Sequence, residues 1–445
     1  MDKKNKIINF IKGLIVIATA VTIVIGLSKI LVLKSEDGIN QFDAFYKQPE
    51  NSIDVLFSGS SKVYCDISTG ALWDQYGIAS FDLGGAEAPA WVSYYQIKEA
   101  LRTQRPKVIC YEVSVAAMFN FEYQKNSWAS DNSYGMKWNS NRIDQLKVNS
   151  TDSDFKLRLN PFNIIHGRYK DLNENDFTNV RNTVNYKGFD PRENVMELER
   201  PVLCDESECT PCAEKDEEYI RKICALGREE GIPVLLFASP DSLDDAEERI
   251  NNYIGMIAED EGVEFIDFNR RYDELGLDFA TDMADTDHLN YSGNLKYATL
   301  LGKMLKERFD LPDRRGDERY VSWEWDAALQ RAERTDLEIQ NAKSITDVMN
   351  LTGSHHLVFA IMDDKAVIFE NNRQVDSQQI SESGDPKFRM VYRNGDDTFL
   401  FTEGTYKYGR TCILYINDTE YWETLDNIAF VYDTMRHEFV RYLFF

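Results

Sequence analysis

The residues best suited to acid–base chemistry lie in the stretch DTDHLNYSG, residues 285 to 293, where Asp285 and His288 stand three apart. At that spacing a carboxylate and an imidazole share one side of a turn. The carboxylate can then orient the ring while the other ring nitrogen faces a hydroxyl. The chain has five histidines. His355, His356 and His437 fall in a C-terminal β-rich region, which leaves His166 and His288 for the chemistry. The hydroxyl is sought in VLFSGSSKVY, residues 55 to 64, where an apolar run stops abruptly at Ser58-Gly59-Ser60-Ser61. A serine just after a strand commonly caps the following helix, and on this stretch alone capping is the better reading. Paired with Asp285 and His288, Ser61 becomes the candidate nucleophile.

Such a serine must be carried by a strand end and such a histidine by a loop at the same edge of a sheet. From Asp54 to about Arg308, short apolar runs alternate with helical patterns, the signature of a parallel sheet covered on both faces. Strands are expected at Asp54 to Phe57, Ala79 to Leu83, Val108 to Val113, Val234 to Ala238 and Glu264 to Phe268. Helices are expected at Trp91 to Arg102, Glu217 to Glu230, Ala246 to Glu259 and Asn294 to Arg308, with right-handed crossovers. The fold class is therefore α/β, a doubly wound five-stranded parallel sheet, whose ligands bind at the carboxyl ends of the strands. Residues 115 to about 213 interrupt the alternation with an aromatic and Asn-rich insertion. Its Trp128, Tyr134, Trp138, His166 and Tyr169 are candidates for stacking against sugar rings, although they could equally pack a small core of their own.

A charged helical connector occupies 312 to 343. Strand-like alternation then runs from 344 to 445, with turn signals at Asp363-Asp364 and Asn394-Gly395. Its expected strands are HLVFAIM, KAVIFE, FRMVYR, TFLFTE, CILYIN, NIAFVYD and EFVRYLFF. The division expected is thus 1–35, 36–311 with the insertion, 312–343, and a β-rich accessory domain at 344–445.

A net charge of −25 argues against nucleic acid and against adsorption to anionic lipid. Ile7 to Leu33 is nonetheless apolar enough to span a bilayer, with Lys3, Lys4, Lys6 and Lys12 near its start and Glu36 and Asp37 after it. The positive-inside rule puts the N-terminus in the cytoplasm and the rest of the chain outside, on a single-pass anchor. A cleaved signal peptide is the rival reading, but the Ala18-Thr19-Ala20 pattern lies inside the apolar run rather than after it. Of seven cysteines, Cys110 reads as core. Cys204, Cys209, Cys212 and Cys224 cluster, and on the oxidising side of a membrane they favour disulfides of undetermined pairing over a zinc site.

Together these blocks resemble the SGNH/GDSL hydrolase superfamily over roughly residues 50 to 310. Gly59-Ser60-Ser61 stands in the place of its Gly-Asp-Ser block and Asp285-Thr286-Asp287-His288 in that of its Asp-x-x-His block. The resemblance implies a flavodoxin-like strand order, Ser61 as nucleophile, His288 as base and Asp285 as its orienting acid. Phe81-Asp82-Leu83-Gly84-Gly85 resembles the second block, so the amide of Gly84 or Gly85, with that of Ser61, would form the oxyanion hole. The family's frequent third-block asparagine is missing, since that strand ends Tyr111-Glu112-Val113-Ser114. A narrower resemblance, through IDVLFSGSSKVY, HLNYSGNLKYA and NPFNIIHGRYKDL, is to bacterial membrane-anchored members similar to the teichoic-acid D-alanyl-transfer and alginate O-acetylation proteins. It implies acyl transfer on a cell-envelope glycan beside a multispanning membrane O-acyltransferase, with no cofactor and no metal. An acyl esterase on the same glycans and a non-catalytic glycan-binding scaffold are the alternatives. The β-rich tail weakly resembles the interleukin-like EMT-inducer type of domain and is given no catalytic role.

Overall fold

The computed structural model describes residues 3–32, 39–118, 126–159, 162–178, 186–383, 387–406 and 409–445. The chain divides into two compact units, residues 1–327 and 328–445.

The first unit is built on a five-stranded parallel sheet of order β2-β1-β3-β4-β5. Its strands are β1 (Val55–Gly59), β2 (Ser80–Gly84), β3 (Val108–Glu112), β4 (Val234–Ala238) and β5 (Glu264–Asp267). This is the doubly wound, flavodoxin-like order. Alternate residues of each strand enter opposite cores. On one face Val55, Phe57, Cys110, Leu235 and Phe237 pack with Val63, Leu72, Tyr297 and Leu301 from the helices Ser61–Asp66, Thr69–Tyr76 and Tyr291–Arg308. On the other, Ile109, Tyr111 and Leu236 pack with Trp91, Ile97, Ile220, Ile223 and Ile254 from the helices Ala90–Ala100, Glu214–Glu230 and Asp245–Glu261. Burial on both faces explains why the strands read as unbroken apolar runs.

Up to residue 178 the inserted stretch carries short helices such as Asn126–Tyr134, Ser140–Val148 and Phe162–Ile165, while residues 186–213 are irregular apart from isolated bridges. It also meets the long N-terminal helix Lys3–Leu31, whose apolar part, Ile7–Leu31, has a mean hydropathy of 2.4. Arg168 Nη1 donates to the carbonyls of Leu31 (2.8 Å) and Val32 (2.9 Å), while Nη2 pairs with Asp176 (3.0 Å). The guanidinium thus satisfies carbonyls that the helix end leaves open.

The second unit holds two antiparallel sheets. One, of order β14-β13-β6-β7-β8, comprises β6 (His356–Met362), β7 (Lys365–Glu370), β8 (Arg373–Gln379), β13 (Ile428–Asp433) and β14 (Glu438–Phe444). The other, β12-β11-β10-β9, comprises β9 (Arg389–Asn394), β10 (Asp397–Tyr406), β11 (Gly409–Ile416) and β12 (Thr419–Thr424). Phe359, Ile361 and Phe430 of the first sheet meet Phe399, Phe401 and Leu414 of the second in one core. The signalled turn at Asp363-Asp364 forms with both residues at positive φ, 49° and 56°, as a tight hairpin between β6 and β7 requires.

All seven cysteines are free, so the disulfides expected of the cluster do not form. Cys212 and Cys224 are consumed by the core beneath the helix Glu214–Glu230, while Cys209 is exposed.

Candidate active site

The residues around the end of β1 divide the work between capping and chemistry. Gly59 has φ of +153°, and a Cβ there would stand 2.7 Å from Cβ of Glu112, so both backbone and space demand glycine. Ser60 is the helix cap: its Oγ accepts the Lys62 N–H (3.3 Å) and donates to Glu112 Oε2 (3.3 Å). The capping role is thereby filled one residue earlier, and Ser61 opens the helix Ser61–Asp66 with its hydroxyl unclaimed by the backbone.

That hydroxyl meets His288. Ser61 Oγ lies 2.8 Å from His288 Nε2, and His288 Nδ1 lies 2.9 and 3.0 Å from the two carboxylate oxygens of Asp285. With the proton on Nδ1, the ring donates to Asp285 and accepts from Ser61. The loop is closed by a bridge between Met283 and Leu289. Asp285 Oδ1 also accepts the N–H of Asp287 (2.8 Å) and of His288 (2.9 Å), which fixes the turn that brings carboxylate and imidazole together. Asn290 then caps the helix Tyr291–Arg308 by accepting from Ser292 N–H (2.9 Å).

The electrostatics keep the carboxylate charged and the ring basic. Burial works to raise the Asp285 carboxyl, but the hydrogen bond and charge of His288 prevail and hold it down at about 2. Burial likewise works to lower His288. The Asp285 hydrogen bond and the charges of Asp66 and Asp285 outweigh it, so the imidazole is raised above its ordinary value. Asp66 is fully buried, accepts the Leu289 N–H (2.9 Å), and is pushed up to about 7 by that burial.

Three buried charges at this edge escaped the reading of the sequence. Lys62 is buried beside Ser61 in an ion pair with Asp241. Glu112 binds three strand ends: it accepts from Ser60, from the Ser114 hydroxyl and N–H (3.0 Å), and from the Ser239 N–H after β4 (3.3 Å). The strand that lacks the asparagine of the third block thus ends in a structural carboxylate. Asp66 completes the set. The signals were present, in SSKVYCD and YEVS, but a buried charge is recognisable only once its partner is placed.

Ser61 and His288 open into a cavity of about 240 Å³ lined also by Arg192, Val115, Met118 and Trp128. Of the five aromatic and histidine residues proposed for sugar stacking, Trp128 alone is in that lining. Tyr134 and Trp138 lie under the Arg142 guanidinium, which is 5.7 and 4.0 Å from their ring centres. His166 stacks on Phe162, and Tyr169 is exposed next to Lys170. Of the two oxyanion candidates, Gly85 already donates its N–H to the Gly59 carbonyl (3.1 Å), and any side chain there would strike Asn132. A larger groove of about 820 Å³, around Arg270 and Asp267, contains none of these residues.

No family model and no curated protein matches the chain. Among solved structures, it is similar to an acylhydrolase from Bacteroides fragilis at 10% identity and a TM-score of 0.30, covering 60% of this chain and 93% of that one. An acetylxylan esterase from Geobacillus stearothermophilus, solved as a catalytic mutant, matches at 12% identity and 0.30, covering 58% and 95%. A gut microbial diltiazem-metabolizing enzyme matches at 9% identity and 0.27; this comparison covers 81% of the present chain but 59% of the other. At these TM-scores the likeness assigns no chemistry.

Proposed function

We propose that the protein is a membrane-anchored serine acyltransferase of the SGNH/GDSL type, which places an acyl group, O-acetyl first among them, on a cell-envelope polysaccharide outside the cytoplasmic membrane. The observation that carries this reading is the hydrogen-bonded series from Ser61 Oγ through both nitrogens of His288 to Asp285 at the carboxyl edge of the parallel sheet.

In this mechanism Ser61 Oγ attacks the donor's acyl carbonyl while its proton passes to His288 Nε2. Asp285 holds Nδ1–H and balances the imidazolium. The amides of Ser61 and Gly84 receive the oxyanion, a charge that preorganised donors stabilise strongly. The donor's alcohol leaves with the proton from Nε2, and the acyl group remains on Ser61 as an ester. A glycan hydroxyl then gives its proton to Nε2, attacks the ester, and restores the serine.

The anchor supports transfer over hydrolysis. Ile7–Leu31 is 25 residues, about 37 Å of helix, enough for a hydrocarbon core of about 30 Å. The grip of Arg168 on the end of this helix favours retention of the segment over its cleavage. An enzyme held at the outer face of the membrane stands beside a membrane-borne donor, such as one delivered by a multispanning O-acyltransferase. A glycan hydroxyl bound near His288 would outcompete water by its effective molarity.

Hydrolysis of the same esters is the second reading. It is favoured by the 47% exposure of the Asp285 side chain and by the four proposed stacking residues that lie outside the cavity. The two readings separate in a partition assay with detergent-solubilised protein, an activated acetyl ester and envelope glycan. Transfer predicts acetylated glycan in excess of free acetate, with both abolished in Ser61→Ala. Free acetate dominating at saturating glycan establishes the esterase instead.

A further inference from the structure

Two histidines that this chemistry leaves unused meet a buried carboxylate in the second unit. His356 begins β6 and Asp433 ends β13, and the two are cross-strand partners in the antiparallel ladder. Asp433 Oδ1 accepts the N–H groups of Met435 (2.6 Å) and Arg436 (3.1 Å), which fixes the carboxylate. Oδ2 is left 3.9 Å from His355 Nε2. Asp433 is fully buried, and among the described residues neither Oδ2 nor His355 Nε2 finds a hydrogen-bond partner. The His355 carbonyl is itself held by Thr434, through N–H (2.7 Å) and Oγ1 (2.8 Å), so the two sides of the gap are tied together.

A gap of 3.9 Å is too long for a hydrogen bond. It is close to the separation of two ligands that share an ion bound at about 2.0–2.2 Å from each. A ring nitrogen of His356 completes the set, since one ligand atom from each of the three residues lies within 4.8 Å of the others. The surroundings resemble an outer shell: His356 Nε2 is 2.9 Å from Asp336 Oδ1, and Asp336 is oriented by Arg436 (2.8 Å). Arg436 is also engaged by Glu333 (3.6 Å) and Glu438 (2.8 Å), so its charge is directed to carboxylates other than Asp433. A buried carboxylate oxygen and an imidazole nitrogen, side by side and unpaired, are costly, and a cation satisfies both.

We propose that His355, His356 and Asp433 bind one divalent transition cation of the zinc type, which clips the start of β6 to the end of β13. Two imidazoles and one carboxylate suit such an ion, whereas calcium and magnesium prefer oxygen ligands alone. Ligation requires His356 to release one of its present partners, the Asp336 carboxylate or the Gly353 N–H that its Nδ1 accepts at 3.0 Å. Water would fill the remaining position.

The test is a titration of chelator-stripped, detergent-solubilised full-length protein with Co²⁺, followed by displacement with Zn²⁺. One equivalent with visible d–d bands and no thiolate charge-transfer band is expected. Binding should weaken by about tenfold or more in His355→Ala and in Asp433→Asn, and persist in His437→Ala, whose ring is 62% exposed and bonded to Asp397 instead. His355 is partly exposed, so its variant decides the matter if Asp433→Asn fails to fold. Equal binding by wild type and His355→Ala overturns the proposal, as does a spectrum dominated by thiolate charge transfer, which would assign the ion to the cysteine cluster. Absence of binding overturns it as well and leaves His355 and Asp433 as a polar pair within the fold.

Discussion

Replacing Asp285 with asparagine isolates the electrostatic part of the relay, because the side chain keeps its shape. The carbonyl oxygen of the introduced amide can still accept the N–H groups of residues 287 and 288, the two bonds that fix the loop. Stability should therefore change by less than about 1 kcal/mol. The other carboxylate oxygen, 3.0 Å from His288 Nδ1, becomes an NH₂ group. Where that donor faces the ring, Nδ1 must accept, which moves the ring's proton to Nε2 and removes the base that Ser61 needs; the retained carbonyl oxygen, 2.9 Å from Nδ1, competes with it for the ring. A comparable tautomer reversal costs about 10⁴-fold in kcat, or about 5.4 kcal/mol. Since 47% of the Asp285 side chain is exposed, water can supply part of the lost orientation. The expected loss is thus about 10³- to 10⁴-fold. Initial rates on p-nitrophenyl acetate, read beside a thermal melt, measure both quantities. A folded Asp285→Asn protein with kcat within about tenfold of wild type would refute the assigned role.

Asp66→Asn tests the pH dependence. The Asp66 charge helps to raise His288, so its removal lowers the imidazole pKa. The base is then neutral at lower pH, and the acid limb of the kcat/KM profile moves down; an upward or absent shift counts against the coupling. Lys62→Met strands the buried Asp241 without its counter-charge, a loss of about 3–5 kcal/mol. Adding Asp241→Asn should recover most of it in urea unfolding. Equal loss in the single and double variants would show that the pair is not the cause.

The central sheet was legible because parallel strands are buried on both faces, and the five predicted strands coincide with β1 to β5 to within two residues at either end. The two strands missed in the second unit, RQVDSQQ and TEYWET, are edge strands with largely exposed polar side chains, so neither carried an apolar alternation. The helices of the insertion were missed for a related reason: NSWASDNSY has no apolar stripe at helical spacing. At the site, residue type and spacing were enough to select Ser61, Asp285 and His288. Lys62, Asp66 and Glu112 were not legible, since each owes its place to a partner distant in the chain: Asp241, Leu289, and both Ser60 and Ser239, respectively. Glu112 was read only as a missing asparagine. In the aromatic stretch, composition could not tell a ring stacked under Arg142, as Trp138 is, from one lining the cavity, as Trp128 does.

The most direct test of the central claim is the identity of the reactive side chain. The purified protein is treated with a serine-directed fluorophosphonate, digested, and its adduct located by tandem mass spectrometry. A single adduct on Ser61, absent from Ser61→Ala and reduced in His288→Ala, is the predicted result. An adduct on Ser58 or Ser60, or none under conditions that modify a control serine hydrolase, would contradict it.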